Sequence, residues 1–499
     1  MEEWLTFSLI ALSTLLALGL FKLSGGKKQA LPPGPWRLPI IGSLHHVVSI
    51  LPHRTMTELC RRHGPMMYLQ LGEIPTVVLS SKEAVGQMMK ASDLQFTKRR
   101  ITAMQDIVGF GGKGITFAPY GDHWRQMRKV CVTELLSSKQ VRRMESVRAE
   151  EMGSLLRSMT ASAGATVNFS QKVAALSNDV VARAVFGGKF SQQENFIHAS
   201  DRIMDLLGGF FLVDLFPSSR LVRWLSSEER RIQSSRDLMH RIITDVIDER
   251  KAVRAASNGG TCDEGLLDVL LTRQEDSLES PLTTDMITTV LFDMFGAGTD
   301  TTSTTLEWAM SELVNHGEAM AKAQLEVREV LGPERAIIVS DDLAELHYMR
   351  MVIKETFRLH PPAPLLNRTN EVDCKIMGYD MLKGTNIYIN AFAISQDPQY
   401  WNNPGVFNPE RFENNNMDYN GACFEFTPFG FGRRLCPGIT FASSVLEMAL
   451  ANFLYHFDWV LPDGATSVDM SEKFGLIVRR SSDLHLRVIP HLCSKAMEI

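Results

Sequence analysis

The stretch Pro428-Phe429-Gly430-Phe431-Gly432-Arg433-Arg434-Leu435-Cys436-Pro437-Gly438 constrains this chain more than any other. Its glycines give the backbone the freedom to fold tightly about one sulfur. Pro437 removes an amide donor, and Gly438 lets a flat ligand approach the backbone. Beyond it, Ile439, Phe441, Ala442, Val445, Leu446, Ala449, Leu450 and Phe453 recur at three- and four-residue spacing, which predicts a helix. Cys436 thus precedes a helix N-terminus, where the dipole and free N–H groups favour a thiolate. Beside Arg433 and Arg434, such a sulfur suits an iron ligand. A lone cysteine is most often a small buried hydrophobe; its neighbours set this one apart.

Phe429, Gly432, Arg434, Cys436 and Gly438 match the pattern FxxGxRxCxG. In this the chain resembles the cytochrome P-450 family of haem-thiolate monooxygenases, most closely the plant microsomal members of specialised metabolism. The resemblance runs from the N-terminal segment to the last strands. It implies a mainly α fold with small β-sheets, a triangular α-rich prism. It implies haem b with Cys436 as axial iron ligand, and Phe429, Arg434 and Gly438 among the haem contacts.

The totals agree with one catalytic domain, residues 41–499. No repeat, Gly/Ser linker or abrupt change of composition divides the 499 residues after about residue 40. A net charge of -5 argues against nucleic acid as a partner. The seven cysteines are odd in number and widely spaced, with no zinc pattern and no disulfide framework, as on a reducing cytosolic face.

Trp4 to Phe21 carries no charge and is rich in Leu and Ala. As a helix it would span about 27 Å, close to an ER bilayer. Glu2 and Glu3 precede it, and Lys22, Lys27 and Lys28 follow. A cleaved secretory signal would have the opposite charge order. Residues 4–21 therefore read as a single-pass transmembrane anchor, with everything after the lysines in the cytosol. Residues 22–40 form a basic and proline-rich linker: Leu31-Pro32-Pro33-Gly34-Pro35-Trp36 excludes helix and resembles the family's hinge.

Further motifs follow in the family's order. Pro75 to Leu79 reads as a strand. Residues 101–119 read as a Gly-rich loop with Phe110, Ile115 and Phe117 as apolar points, implied by the resemblance to wall the substrate pocket. Trp124 and Arg128 share one face of a helix beginning near Asp122. Taken alone they are a packed ring and a surface charge; the family's WxxxR motif implies that they hold a haem propionate. Residues 140–250 read as several helices, with an apolar patch at 206–217, including Phe210, that is either core or a lid facing the membrane.

A long helix from about Thr284 to His316 carries Ala297-Gly298-Thr299-Asp300-Thr301-Thr302. Gly and clustered Thr are poor helix formers, and a local kink is expected there. The resemblance implies that Thr301 hydrogen-bonds dioxygen and that Asp300 helps relay protons, with Phe292 and Ala297 on the pocket wall. Glu355 and Arg358 sit one turn apart on a helix, commonly a surface pair. With Arg411 from Pro409-Glu410-Arg411-Phe412 the resemblance joins them into a buried structural cluster. It also places Ala363, Leu365 and the hairpin residue Leu476 against substrate and Arg368 on a haem propionate. Asn367 stands where many relatives carry His.

The implied activity is insertion of one atom of O2 into a small hydrophobic plant metabolite, most readily a terpenoid such as a diterpene. Electrons would come from NADPH through a separate NADPH-cytochrome reductase carrying FAD and FMN, because this chain shows no flavin or nicotinamide motif. An alkaloid, a phenylpropanoid or a fatty acid is the alternative substrate. The rivals in kind are a peroxide-rearranging relative, which generally lacks the acid–alcohol pair, and a membrane haem protein that binds a ligand without turnover.

Overall fold

The computed structural model describes residues 30–208, 210–256, 265–276, 282–415, 417–462 and 464–491. The expected anchor at 4–21 and the linker as far as residue 29 lie outside them. Among the described residues no helix is long and apolar enough to cross a membrane.

The fold is helix-rich with small sheets, built about the helix Thr284–Asn315. Thr283 caps it, its hydroxyl accepting from the Met286 amide. Apolar residues on most sides of this helix predict full burial, and Ile287, Val290, Leu291, Phe295, Leu306 and Leu313 are all buried. The helix Phe169–Phe186 packs along it: a Cβ on Gly298 would meet Val181 at 3.1 Å.

Eleven strands appear among the described residues. They are β1 (Met66–Leu71), β2 (Ile74–Leu79), β3 (Thr166–Asn168), β4 (Leu365–Thr369), β5 (Cys374–Ile376), β6 (Tyr379–Met381), β7 (Asn386–Asn390), β8 (Phe457–Val460), β9 (Glu472–Lys473), β10 (Arg479–Arg480) and β11 (His485–Pro490). The largest sheet has the order β1-β2-β7-β4. Its middle pair is parallel, Thr76 opposite Asn386, and β4 runs antiparallel to β7, Arg368 opposite Ile387. The helix His347–Leu359 ends where Pro361 and Pro362 forbid its continuation, and the chain turns into β4.

The cysteine loop forms a short 3-10 turn at Gly432–Arg434 and then the helix Ile439–His456. Gly432 is required there. Its φ is +64°, and a Cβ would lie 2.7 Å from both an Asp93 carboxylate oxygen and the Met89 methyl carbon.

One local expectation differs from the structure. Residues 101–119 are not all loop: Ala103–Val108 is a helix with a capping box between Thr102 and Gln105. The spacing S/T-x-x-Q carries this signal in the sequence. The threonine-rich segment lies within the continuous helix Thr284–Asn315. The hydroxyls of Thr299, Thr301, Ser303 and Thr305 each donate to the carbonyl one turn back, at 3.0, 2.7, 3.1 and 2.7 Å, so they bond along the helix.

Candidate active site

Between the Thr284–Asn315 helix and the cysteine loop lies a cavity of about 370 Å3. This is within the roughly 300–1,000 Å3 usual for small-molecule and cofactor sites. Cys436, Phe429 and Gly438 line one side, and Ala297, Gly298 and Thr301 the other. Ile115, Phe117, Ala363, Leu365 and Leu476 complete an apolar wall.

The Cys436 amide donates to the Phe429 carbonyl at 2.9 Å, closing the loop round the sulfur. The Gly438 amide points at Sγ from 3.4 Å. Burial raises the Cys436 thiol, while the Gly438 amide and the charges of Arg128 and Arg99 oppose that rise. Gly438 is the N-cap of the following helix, so the dipole argument acts through this one amide.

Four guanidiniums line the cavity: Arg99, Arg128, Arg368 and Arg434. Among the described residues none of them forms an ion pair. Arg434 is 6% exposed and donates to the carbonyls of Thr97 at 2.9 Å and Ala118 at 2.7 Å. Arg368 is 4% exposed and donates to the Asn367 carbonyl at 2.8 Å. Burial first, then the charge of Arg99, pulls both of them down to about 9. Burial also lowers Arg99 and Arg128. Four cations sharing a desolvated cavity are costly without anions. A planar group bearing two carboxylates meets that need, and a thiolate at the other end matches haem b. The residues present therefore fit haem, with Cys436 to hold the iron and the arginines to hold its propionates.

Arg99 was not among the sequence candidates. Lys98-Arg99-Arg100, a run of bases before a loop, carried the signal. Trp124 lines the cavity with its ring beneath Arg434, 4.6 Å from the guanidinium carbon. Its indole N–H, expected to face a propionate, instead donates to the Ile115 carbonyl at 3.0 Å. The ring therefore buttresses the arginines while the N–H fixes the loop. Arg128 also donates to the Leu435 carbonyl, tying the Asp122–Cys131 helix to the cysteine loop.

Three expected pocket residues lie elsewhere. Phe110 sits in a turn at φ +47°, its ring against His240 and Arg236. Phe292 is 2% exposed and out of phase with the cavity face: it lies one turn before Gly296, which packs on Met204. Phe210 walls a smaller neighbouring chamber, stacked on Tyr388 at 5.8 Å.

Asp300 is also outside the cavity lining. Its carboxylate accepts from Arg479 of β10 at 2.8 Å, and Arg479 also reaches Asp201 at 3.8 Å. Burial pushes Asp300 up to about 6 despite that arginine.

Beneath the site, Arg358 donates to both oxygens of Glu355 at 2.7 and 2.8 Å, and both side chains are wholly buried. Arg411 donates to Glu355 at 2.9 Å, as does the Asn408 amide. Arg358 also donates to the carbonyls of Ser395 and Pro404. The cluster thus pins the segment that leads into the cysteine loop.

The family model for cytochrome P450 matches residues 32–487. The chain belongs to the cytochrome P450 family. As a P450 it is a monooxygenase with haem iron. It is 45% identical to desmethyl-deoxy-podophyllotoxin synthase of Sinopodophyllum hexandrum, over 97% of each chain. It is 44% identical to zealexin A1 synthase of Zea mays, over 93% of this chain and 94% of the relative. It is 41% identical to ent-isokaurene C2/C3-hydroxylase of Oryza sativa subsp. japonica, over 99% of each. A solved zebra fish cytochrome P450 bound to abiraterone superposes with a TM-score of 0.76 at 25% identity, covering 89% of this chain and all of that one.

Proposed function

We propose that this P450 inserts one atom of O2 into a C–H or C=C bond of a terpenoid, with electrons from NADPH delivered by a membrane reductase carrying FAD and FMN. The observation that carries the reading is the apolar cavity with the Cys436 sulfur on one wall and the Thr301 hydroxyl on the other. Relatives named as oxygenases of terpenoid hydrocarbons, such as premnaspirodiene oxygenase of Hyoscyamus muticus at 40% identity, support the substrate class. Haem supplies oxygen activation when bound. The protein's own part is to bind and orient the substrate with aliphatic walls and to exclude water. Thr301 holds a hydrogen-bonding group at the cavity face, and Asp300, next to it in the helix, takes up a proton near pH 6. Residues 4–21 anchor the chain in the ER membrane, 22–40 act as hinge, and 41–499 form the cytosolic catalytic domain.

The test is reconstitution of the full chain with an NADPH-cytochrome reductase in lipid vesicles, screened against terpenes, alkaloids, phenylpropanoids and fatty acids. Terpene turnover with NADPH-dependent product is expected. Cys436→Ser is expected to abolish turnover and the red-shifted ferrous–CO absorption of a thiolate-ligated haem. Turnover confined to another class would overturn the terpenoid assignment. Binding without NADPH consumption would overturn the enzymatic reading.

A further inference from the structure

Ile115, Thr116 and Phe117 form one wall of the cavity, and more than loop packing holds that wall in place. Ile115 and Thr116 are engaged at both their amides and their carbonyls. The two amides donate to one carboxylate oxygen of Asp293, at 2.7 and 3.0 Å. The Ile115 carbonyl accepts from the Trp124 indole, and the Thr116 carbonyl accepts from Arg99 at 2.7 Å. Trp124 and Arg99 line the cavity, whereas Asp293 lies outside its lining.

Asp293 belongs to the helix Thr284–Asn315 and is 6% exposed. Burial raises its carboxyl, and the amides of Thr116 and Ile115, with the charge of Arg99, oppose that rise. Among the described residues it forms no ion pair, so the two amides are its close donors. A charged acceptor strengthens such bonds.

Gly114 marks the same contact independently. A Cβ there would lie 2.3 Å from the same Asp293 oxygen and 2.7 Å from the Thr289 methyl carbon. The loop thus approaches the helix so closely that only glycine fits. The neighbouring Lys113 reaches Asp285 on that helix at 2.6 Å, but both side chains are part-exposed, and such pairs contribute little. The buried anchor is Asp293.

Removing the carboxylate would leave two buried amides without an acceptor. The loop would then shift, while Trp124 and Arg99 keep their places beside the cavity. We propose that Asp293 is a positioning residue: by fixing the Ile115 and Thr116 amides it sets where Ile115 and Phe117 stand, and so which carbon of the substrate is presented for oxidation. Misplacement of reacting groups by about 1 Å can cost about 100-fold in rate, so a wall fixed this firmly bears on selectivity. The inference rests on the monooxygenase reading above and deepens it with a residue that acts through the wall.

The test compares variants of the full-length holoenzyme. In Asp293→Ala, peptides covering residues 109–118 should exchange amide hydrogens at least about 10-fold faster than in the parent, and peptides covering 428–438 should not change. Binding of imidazole and of the bulkier phenylimidazole is followed by the Soret shift of nitrogen ligation. Imidazole affinity should stay within about 2-fold, while phenylimidazole, which extends towards the wall, should change by at least about 5-fold. With any terpene that the parent turns over, the ratio of oxidised positions should shift. Gly114→Ala leaves the carboxylate but pushes the loop from it, and should move all three readouts. Asp293→Asn keeps an acceptor oxygen and should fall between the parent and Asp293→Ala; it serves, with Gly114→Ala, if Asp293→Ala does not yield haem protein. Unchanged exchange at 109–118, or an unchanged product ratio, in haem-replete variants would overturn the inference while leaving the monooxygenase reading intact. Equal weakening of both imidazoles would also overturn it, by making Asp293 a residue of the fold alone. A parent that gives no Soret shift with either imidazole would overturn the haem-site reading, and this inference with it.

Discussion

Glu355→Gln should be the most damaging single-atom change available outside the cavity. The substitution leaves size and shape but removes the charge that Arg358 and Arg411 share. Arg358 then keeps its backbone acceptors, Ser395 and Pro404, but no anion, and it is wholly buried. Breaking a buried pair from one side costs about 3–5 kcal/mol, because a charge stays behind unpaired. Unfolding entropy of about 2.1 cal/mol/K per residue, taken over residues 32–487, is about 1 kcal/mol/K. The melting temperature should therefore fall by about 3–5 °C, compared with the parent at one scan rate because a protein of this size unfolds irreversibly. The same preparation should lose part of its thiolate-ligated ferrous–CO signal, since Arg411 and the Asn408 amide anchor the chain that enters the cysteine loop. Arg125→Ala, at an exposed pair with Asp122, is the control and should change stability by no more than about 0.5 kcal/mol. A melting temperature within about 1 °C of the parent, with full haem content, would refute the claim that this carboxylate supports the site.

Thr301→Ala should leave haem and substrate binding intact but divert NADPH into peroxide, whereas Thr301→Ser should retain coupling; product and peroxide per NADPH decide it, and equal coupling in all three would make Thr301 a helix residue only. Asp300 titrates near 6 in the folded protein against about 3.9 for an ordinary aspartate, so the folded state holds the extra proton between those values. Stability from this group is therefore full below about pH 4 and is lost as pH rises through 6. The melting-temperature difference between parent and Asp300→Asn should shift in the parent's favour as pH falls from 6.5 to 4, and a flat difference would refute the assignment. Deleting residues 1–28 should release most of the protein from membranes while haem binding persists, as followed by fractionation and the ferrous–CO spectrum; complete membrane retention would show a second anchor.

The large elements were legible because their signals are local. The expected helix from about Thr284 to His316 falls within a residue of Thr284–Asn315, and Pro361–Pro362 announced the end of His347–Leu359. The cysteine loop was legible for the same reason, since its glycine at 432 is fixed by a backbone angle and a close approach. Helical phase was less so. Phe292 and Ala297 lie within five residues, yet one packs inward and the other faces the cavity, and composition alone gives no origin from which to count. Least legible were partners far apart in sequence. Nothing local to Trp124 says that its N–H meets the Ile115 carbonyl, and nothing local to Asp293 says that it accepts from the Ile115 and Thr116 amides.

Asp300 and Thr301 illustrate the same limit where it bears on chemistry. Neighbours in a helix point about 100° apart. With Thr301 on the cavity wall, Asp300 must look elsewhere, and it meets Arg479 from a strand 179 residues on. The carboxylate cannot serve the cavity while it is held there. On the proposed reading it would have to turn from Arg479 to hand on a proton, and burial, which raises its proton affinity, favours the neutral form that binds Arg479 less tightly. Arg479 reaches Asp201 as well, so the ion pair of Asp300 is shared with the helix Gln193–Leu206. The adjacent acid and alcohol of the sequence are thus two separate devices: a fixed hydroxyl in the cavity, and a tethered acid beside it whose availability depends on the packing of distant segments.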